Sequence, residues 1–363
     1  MQKIKVIELF AGVGSQAMAL RNIGIDYEVI GISEIDKFAY KSYEAIHGKV
    51  KNFGDITKIN KLPYCDLLTY SFPCQDLSVA GRQKGISKDT RSGLLLEVER
   101  LLLKAKENGT LPKYLLLENV KNLVGKKFIK DFERWLSFLN NLGYYSNWEV
   151  LNAKDYGIPQ NRERVFVVSS LENIHYEFPN PVELKSKMKD LLEEKVNEKY
   201  YLSEQCLKYF TDTKNRNGFI RGEKFNPRKS EDCNTAFAIT TRAGSRPTDN
   251  FIIQKGHGFN RGGIKRVVPS LTTSSWQENN FVANIQNEDN RIRKLTPLEC
   301  WRLMGFRDLD YYAAKSVGTS NAQLYKQAGN SIVVTVLEAI FRNLFLKKHK
   351  KKRGIVAEQI KIF

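Results

Sequence analysis

The chain has 363 residues, of which 42% are hydrophobic, and it carries a formal net charge of +18 at pH 7. This composition excludes global disorder, and the length suits two domains or one large α/β domain with an insertion. The positive charge favours a polyanionic partner over a basic surface with no such role. No apolar run approaches the roughly 20 residues that span a bilayer. The first residues also lack the layout of a secretory signal, so nucleic acid is favoured over a membrane.

The cysteines and histidines are dispersed, with no C-x-x-C pair and no two histidines four residues apart. They are Cys65, Cys74, Cys206, Cys233 and Cys300, and His47, His175, His257 and His349. An odd, scattered set of cysteines argues against a disulfide framework and against a zinc site. We therefore expect a protein of the reducing cytoplasm that binds no metal.

The first 170 residues alternate between short apolar strands and amphipathic helices. The predicted strands are Lys5–Phe10, Glu28–Ser33, Asp66–Ser71, Tyr114–Glu118 and Arg164–Val168, and the predicted helices are Gln16–Ile23, Ala39–Ile46, Gly93–Lys106 and Ile129–Leu139. This alternation indicates an α/β fold with a parallel sheet covered on both faces. Such sheets bind ligands at the carboxyl ends of their strands.

The pattern changes after Ser170. Lys185–Glu198 is a charged segment with helical spacing, whereas residues 210–290 are rich in Asn, Gly, Arg and Thr and show little helical periodicity. Helical patterns return with a helix start at Thr296–Glu299 and a final helix over Ser331–Phe345. We predict a domain made of residues 1–170 and 291–345, a smaller basic β-rich domain at 171–290, and a basic tail at 346–363.

A glycine turn, Phe10-Ala11-Gly12-Val13-Gly14, follows the first strand. Its two glycines let the backbone turn tightly against a nucleoside, although many α/β turns contain such a pair. Glu34 ends the second strand, where a carboxylate can bind ribose hydroxyls, and Asp55 can accept a hydrogen bond from an adenine amine. The chain has neither a G-x-x-x-x-G-K-[ST] loop nor the third glycine of the pyrophosphate fingerprint. A nucleoside without phosphates is therefore favoured over NAD or ATP.

Cys74 follows the third strand, in the segment Ser71-Phe72-Pro73-Cys74-Gln75. Its place beside the predicted nucleoside pocket suits a nucleophile, whereas a lone cysteine is more often a buried structural thiol. The polar segment that continues to Arg91 combines glycines with cations. Such a segment is compatible with closure over a nucleic acid strand and equally with an ordinary surface loop.

Charged residues also flank the last two predicted strands. Glu118 ends the fourth strand, and Arg162 and Arg164 stand at the start of the late strand. Each of these residues alone would most simply lie on the surface. The glycine turn, Cys74, Glu118 and the arginines together converge on one edge of the predicted sheet, and we interpret them as one site.

In this order the motifs resemble those of the DNA (cytosine-5)-methyltransferase family, over nearly the whole chain. The matching segments are Phe10–Gly14, Glu34, Asp55, Pro73-Cys74-Gln75, Glu118-Asn119-Val120, Gln160-x-Arg162-x-Arg164, Arg293–Phe306 and Gly329-Asn330-Ser331. The resemblance implies a Rossmann-like domain that uses S-adenosylmethionine, yields S-adenosylhomocysteine and methylates double-stranded DNA. It also implies that residues 171–290 form the target recognition domain.

The resemblance assigns three groups of site residues. Those expected to bind the cofactor are Phe10, Ala11, Gly12, Gly14, Glu34, Ile35, Asp55, Ile56, Asn330 and Ser331. Those expected to act in catalysis are Cys74, Glu118, Arg162 and Arg164. Those expected to contact DNA are Gln75, Ser78, Arg82, Lys84, Arg91, Arg242, Arg246, Arg261 and Arg266.

The resemblance also implies roles for the catalytic residues. Cys74 would add to carbon 6 of a cytosine flipped out of the duplex, Glu118 would hold N3 and the exocyclic amine, and Arg164 would bind O2. Arg162 would support Glu118. Some relatives carry a polar residue in this loop where the chain has Ala80. This difference leaves open which group fills the space that the flipped cytosine leaves in the duplex.

Three other functions compete with DNA methylation. A relative with the same motifs could methylate cytosine in tRNA, but the long basic insertion favours duplex DNA. A nucleic-acid-binding protein without catalysis is disfavoured by the complete motif set. A thiol-dependent nucleotide oxidoreductase lacks its cysteine pair and its pyrophosphate loop. We expect a monomer of a restriction-modification or phage protection system that forms no stable complex with a restriction endonuclease.

Overall fold

The computed structural model describes residues 3–73, 91–174, 176–203, 205, 228–229, 234–239, 241, 250–255 and 290–347. At its centre lies a six-stranded sheet of order β2-β1-β3-β4-β7-β5. The strands are β1 (Ile4–Leu9), β2 (Tyr27–Ser33), β3 (Leu67–Tyr70), β4 (Tyr114–Val120), β5 (Tyr145–Asn152) and β7 (Glu163–Ser170). The two-residue strand β6 (Gln160–Asn161) precedes β7.

The prediction of a wholly parallel sheet is wrong at one end. Strands β1 to β4 run parallel to one another, whereas β7 pairs antiparallel with both β4 and β5. The sequence prediction missed β5 because this strand is largely exposed and polar at the sheet edge. Residues 153–162 connect β5 to β7. This connection is shorter than the dozen or more residues that a parallel crossover needs, so the pair is antiparallel.

Helices cover both faces of the sheet, as predicted. They are α1 (Ser15–Asn22), α2 (Lys37–His47), α3 (Leu95–Glu107), α4 (Ile129–Asn141), α5 (Pro297–Arg302), α6 (Asp308–Ser316), α7 (Asn321–Asn330) and α8 (Val334–Phe341). Alternate residues of a strand enter opposite clusters: Val6 packs with residues of α1 and α8, and Ile7 packs with residues of α3 and α4. This alternation follows from the two-residue repeat of a strand.

The C-terminal segment completes the main domain. Thr296 caps α5 through a capping box with Glu299, which confirms the predicted helix start. The predicted final helix over Ser331–Phe345 is wrong at its start, because Ser331 is extended and ends α7. Helix α8 begins only at Val334 and continues as a π-helix over Arg342–Leu346.

One described stretch, Asn321–Leu346, is long and apolar enough to cross a membrane, but half of its most apolar window is buried in the fold. Core helices of soluble proteins share these properties, so this stretch is weak evidence for a membrane span.

The first part of the predicted insertion packs on the main domain. Ile174, Tyr176 and Met188 belong to the same hydrophobic cluster as α1 and α8, so this core extends beyond residue 170. The predicted helix over Lys185–Glu198 is wrong: only 3₁₀ turns form, at Met188–Leu191 and Glu198–Tyr200. The segment instead contacts the N-terminal turn of α5, where the Glu193 N–H donates to the Glu299 carboxylate at 2.8 Å.

The other described parts of the insertion are short strands. They are β8 (Arg228–Lys229), β9 (Ala236–Phe237), β10 (Phe251–Lys255) and β11 (Asn290–Lys294). Strand β10 pairs with β8 and β11, and β9 pairs with β6 of the main domain. The division into domains at residues 171 and 290 stays a prediction.

A fully buried ion pair joins β11 to α5. The Arg293 guanidinium donates two hydrogen bonds of 2.8 Å to the Glu299 carboxylate, and neither side chain is exposed. The same carboxylate accepts the Thr296 N–H at 2.8 Å. Removing one partner would leave the other charge buried without compensation.

We predict that Arg293→Met lowers the free energy of unfolding by about 3–5 kcal/mol, because the Glu299 carboxylate would stay buried without its cation. Urea denaturation followed by circular dichroism measures this loss. The control is Lys347→Met, which breaks the exposed pair with Glu177 and should cost at most about 1 kcal/mol. Equal losses in the two variants would contradict the prediction.

Candidate active site

The turn after β1 has the open geometry that the glycine pattern predicts. Gly12 and Gly14 have φ angles of 59° and 82°, and Phe10 has a φ of 58°, which a residue with a side chain seldom adopts. A Cβ atom added to Gly12 would meet nothing within 4 Å. One added to Gly14 would collide with the rings of Tyr43 and His47. The turn therefore has open space beside Gly12, whereas the Tyr43 and His47 rings pack against it at Gly14.

Glu34 links the end of β2 to this turn. Its Oε2 accepts the Gly12 N–H at 2.8 Å, and its Oε1 accepts the Asp36 N–H at 2.7 Å. Burial raises the pKa of this carboxyl, against the lowering effect of these hydrogen bonds. Each carboxylate oxygen keeps a further lone pair for ribose hydroxyls. Ile35, the next residue, is 77% exposed at the strand end, where a bound nucleoside can cover it.

Asp55 is the residue predicted to accept a hydrogen bond from the adenine amine. Its Oδ1 accepts hydrogen bonds from the Thr57 N–H at 3.0 Å and the Thr57 hydroxyl at 2.9 Å. These bonds lower the pKa of Asp55, so its carboxylate remains an acceptor at neutral pH. The Ile56 side chain is only 3% exposed and packs in the core. Its side chain therefore supports the site from beneath, and the assignment of Ile56 to cofactor binding stays a prediction.

Asn52, which the sequence analysis did not single out, fixes the relative position of the Glu34 and Asp55 segments. Its side chain accepts the N–H groups of Glu34 and Gly54, at 3.1 and 2.9 Å, and donates to the Glu34 carbonyl at 2.9 Å. An asparagine in a loop carries no sequence signal of this role, because its partners are backbone groups. Together these contacts fit a nucleoside such as the adenosyl group of S-adenosylmethionine.

Glu118 lies at the carboxyl end of β4 and is 8% exposed. Arg164 reaches it from the neighbouring strand β7, with Nε 3.3 Å from Oε1. Burial raises the pKa of Glu118, while the charges of Arg164 and Arg162 and a hydrogen bond from Ser71 act in the opposite direction. The net effect is a raised pKa, so Glu118 holds its proton to a higher pH than a solvated glutamate does.

The end of β3 is held against the same edge. Asn119 donates from Nδ2 to the Phe72 carbonyl at 3.0 Å, and the register of β3 and β4 pairs Tyr70 with Leu117. The chain is therefore fixed two residues before Cys74, beside Glu118. The proposed nucleophile Cys74 lies outside the described residues, and so does Ala80.

Most of the predicted DNA-contacting residues also lie outside the described part of the chain. They are Gln75, Ser78, Arg82, Lys84, Arg242, Arg246, Arg261 and Arg266. Arg91 begins a 3₁₀ turn, Arg91–Leu94, at the start of α3. Their assignment to DNA contacts stays a prediction.

Arg162 makes hydrogen bonds that the sequence analysis did not anticipate. Its guanidinium donates to the carbonyls of Ile239 at 2.9 Å, Gly329 at 3.1 Å and Ser331 at 3.0 Å. The structure thus connects Arg162 to Glu118 through its charge. These three hydrogen bonds also join the insertion to the C-terminal segment.

Asn330 and Ser331 stand at the end of α7. The Ser331 hydroxyl donates to the Gln327 carbonyl at 2.7 Å and is buried, whereas Asn330 is exposed. Of this pair, only Asn330 thus presents an exposed side chain to a ligand.

A buried polar cluster supports the glycine turn, and the sequence analysis did not single it out. Glu8 on β1 is fully buried, accepts the Tyr43 hydroxyl at 2.6 Å and accepts the Ala17 N–H of α1 at 2.9 Å. His47, beside Tyr43, is hydrogen-bonded to the Val13 carbonyl at 3.0 Å. The signal in the sequence was a glutamate inside the apolar run Val6-Ile7-Glu8-Leu9-Phe10.

Burial raises the pKa of Glu8 to about 7, from 4.5. A folded-state pKa above the unfolded value means that the folded chain binds more protons, so stability falls as pH rises from 4.5 through 7. Burial lowers the pKa of His47 to about 4, which has the opposite effect in an overlapping range. The difference in unfolding free energy between wild type and Glu8→Gln cancels the contribution of His47 and therefore isolates that of Glu8.

We predict that Glu8→Gln gains stability relative to wild type, by up to about 3 kcal/mol, as the pH rises from below 5 to above 7. The neutral amide has no proton to lose in this range. Denaturation at a series of pH values measures the difference. Glu163→Gln, at an exposed position, is the control for loss of a carboxylate. A stability difference between Glu8→Gln and wild type that stays constant with pH would contradict the prediction.

The chain resembles known proteins over almost its entire length. The model of the C-5 cytosine-specific DNA methylase family matches residues 4–346. The type II methyltransferase M2.ScrFI of Lactococcus lactis subsp. cremoris is 36% identical, with 94% of this chain and 99% of that protein covered. The orphan methyltransferase M.SPBetaI of Bacillus phage SPbeta is 33% identical, with 95% and 98% covered.

Solved structures share the fold at lower identity. The S. pombe Dnmt2 methyltransferase is 21% identical with a TM-score of 0.69, over 95% of this chain and 98% of that one. The Entamoeba histolytica methyltransferase EhMeth is 21% identical with a TM-score of 0.70, over 96% and 100%.

The fold and the site together define a Rossmann-like methyltransferase that uses S-adenosylmethionine. The chain belongs to the C-5 cytosine-specific DNA methylase family. It is a DNA (cytosine-5)-methyltransferase, which confirms the prediction made from its motifs.

Proposed function

We propose that this enzyme methylates carbon 5 of a cytosine flipped out of duplex DNA, with Cys74 as its nucleophile and Glu118 and Arg164 as the groups that bind the base. The contact between Glu118 and Arg164 carries this proposal, because it places a protonatable acid and a cation together at one strand end. The Asn119 bond to the Phe72 carbonyl supports the placement of Cys74 beside them. A stacked cytosine cannot reach such a pocket, so the base must leave the helix, at a cost of a few kcal/mol.

The chemistry requires covalent help from the protein. The Cys74 sulfur adds to carbon 6, and the electron pair of the C5–C6 double bond becomes available at carbon 5. A protonated Glu118 at N3 relieves the negative charge that this addition places on the ring. Arg164 binds O2, and its charge favours the thiolate form of Cys74. Once carbon 5 has accepted the methyl group, it loses its proton to a base, which a water molecule can serve. The C5–C6 double bond then re-forms, the C6–S bond breaks to release the thiolate, and the N3 proton returns to Glu118.

S-adenosylmethionine supplies an electrophilic methyl group on a sulfonium. We assign its ribose to Glu34 and its adenine amine to Asp55, with Phe10 and Ile35 against the adenine ring. Ala11, Gly12 and Gly14 form the backbone of this cradle. Asn330 and Ser331 lie at the wall of the pocket, where Asn330 has the exposed side chain.

The names of the relatives guide a proposal for the biological setting. M2.ScrFI is a type II methyltransferase, and M.SPBetaI is an orphan methyltransferase of a phage. We place this chain in a restriction-modification or phage protection system, as a monomer in the cytoplasm that forms no stable complex with a restriction endonuclease. Bisulfite sequencing of DNA from a host that expresses the chain tests the activity, and competition between duplex DNA and tRNA tests the substrate.

We expect Cys74→Ser to lower methyl transfer by at least about 1,000-fold and to leave DNA binding intact, because a hydroxyl is a far weaker nucleophile than a thiolate. Transfer of a tritiated methyl group to duplex DNA measures the rate. A duplex with 5-fluorocytosine should trap wild type, but not Cys74→Ser, as a covalent adduct. Normal turnover by the variant would contradict the assignment.

Glu118→Gln should slow the single-turnover rate by about 100-fold or more, because the amide cannot supply a proton to N3. Cofactor affinity should not change, since Glu118 lies on β4, away from the Glu34 and Asp55 segments. Glu163→Gln is the matched control: its carboxylate pairs with Lys121 at 2.9 Å and is 46% exposed. An unchanged rate in Glu118→Gln would remove its proposed role.

A further inference from the structure

Gln160 is a fully buried polar residue whose side chain joins two distant parts of the chain. Its Nε2 donates to the Leu303 carbonyl at 2.6 Å, in the C-terminal segment. Its Oε1 accepts the Ile239 N–H at 2.8 Å, in the insertion. A buried amide with both ends bonded in this way fixes the distance between its partners, because leaving either end unbonded is costly.

Arg162, two residues further, binds the other side of the same insertion residue. Its Nη1 donates to the Ile239 carbonyl at 2.9 Å, while Nη2 donates to the carbonyls of Gly329 and Ser331. Gln160 and Arg162 thus bind both backbone polar groups of Ile239. The planar fork of a guanidinium can bind these separate carbonyls at once, which a lysine ammonium at the end of a flexible chain cannot reproduce.

The backbone around Ile239 is docked as well. Strand β9 pairs in parallel with β6, and the Ala236 N–H donates to the Pro159 carbonyl at 2.6 Å. Ala236 and Ile239 are 1% and 2% exposed. These two residues therefore anchor the segment in the buried interior. In the sequence it leads directly to Arg242 and Arg246, which belong to the predicted DNA-contacting set.

We propose that Gln160 and Arg162 are positioning residues that clamp Ile239, so that the DNA-recognising insertion is held over the catalytic pocket. Arg162 then acts on methylation through this docking and not by contact with the base. The inference rests on the proposed DNA methylation and on the predicted role of residues 171–290 in target recognition. Arg164, two residues after Arg162 and on β7, contacts Glu118 and serves the chemistry. The short segment from Gln160 to Arg164 thus carries docking residues and a base-binding residue in alternation.

The test compares Gln160→Met and Arg162→Lys with wild type. Arg162→Lys keeps the charge near Glu118 but loses the fork, and Gln160→Met removes the hydrogen bonds to Leu303 and Ile239 without any change of charge. Both should raise the KM for the target duplex by about 10-fold or more, because each loses hydrogen bonds that fix the insertion. The single-turnover rate of Gln160→Met at saturating DNA should stay within about 3-fold of wild type. Glu163→Gln, at the start of β7, is the matched control and should change neither quantity.

Hydrogen exchange of the amides in residues 234–241 gives a second readout that needs no catalysis. Gln160→Met should speed exchange at Ile239, whose N–H loses its acceptor. Gln160→Glu should speed it less, because a carboxylate can still accept this N–H. Affinity for S-adenosylmethionine serves as the folding control and should match wild type.

Several outcomes would overturn the inference. An Arg162→Lys variant with a wild-type KM would show that only the charge of Arg162 matters. Wild-type exchange at Ile239 in Gln160→Met would show that the clamp does not hold the insertion. Loss of cofactor binding in all the Gln160 and Arg162 variants would show that these residues hold the fold. A wild-type chain without activity on any duplex would instead overturn the proposed function.

Discussion

The contact between Glu118 and Arg164 depends on a single feature of the sheet, the antiparallel pairing of β7 with β4. The register pairs Val120 at the end of β4 with Arg164 near the start of β7. In a wholly parallel sheet, the start of β7 would lie at the opposite edge from the end of β4. The reversal of one strand therefore brings the acid of one motif within 3.3 Å of the cation of another.

Polar groups buried around this edge are satisfied mainly by backbone partners. Glu8 accepts from a helix N–H as well as from Tyr43, Glu34 accepts from two loop N–H groups, and Asn52 and Asn119 bind loop backbone. Burial of such groups is costly unless they are hydrogen-bonded, so each one fixes the loop that it binds. These hydrogen bonds hold the described strand-end loops at the edge where the proposed nucleoside and base sites lie.

Buried polar side chains with bonded partners also join the insertion to the main domain. Arg293 and Glu299 form a buried ion pair where the chain returns from the insertion, and Gln160 and Arg162 bind Ile239 within it. These contacts lie at separate points, so the insertion is fixed at more than its covalent connections. An enzyme that reads a DNA sequence and modifies one base within it needs such a fixed relation between recognition and chemistry.

The sequence by itself determined the family, the helices on both faces and the segments that form the site, because glycine turns, apolar strands and reactive side chains are local signals. It did not determine the direction of β7, the edge strand β5 or the contacts of Arg162. The direction of β7 follows from a connection too short for a parallel crossover, and β5 lacks an apolar run because it lies at the edge. The partners of Arg162 are 77 to 169 residues away in sequence. Only the tertiary structure brings such backbone carbonyls together, because a carbonyl group carries no residue-specific signal in the sequence.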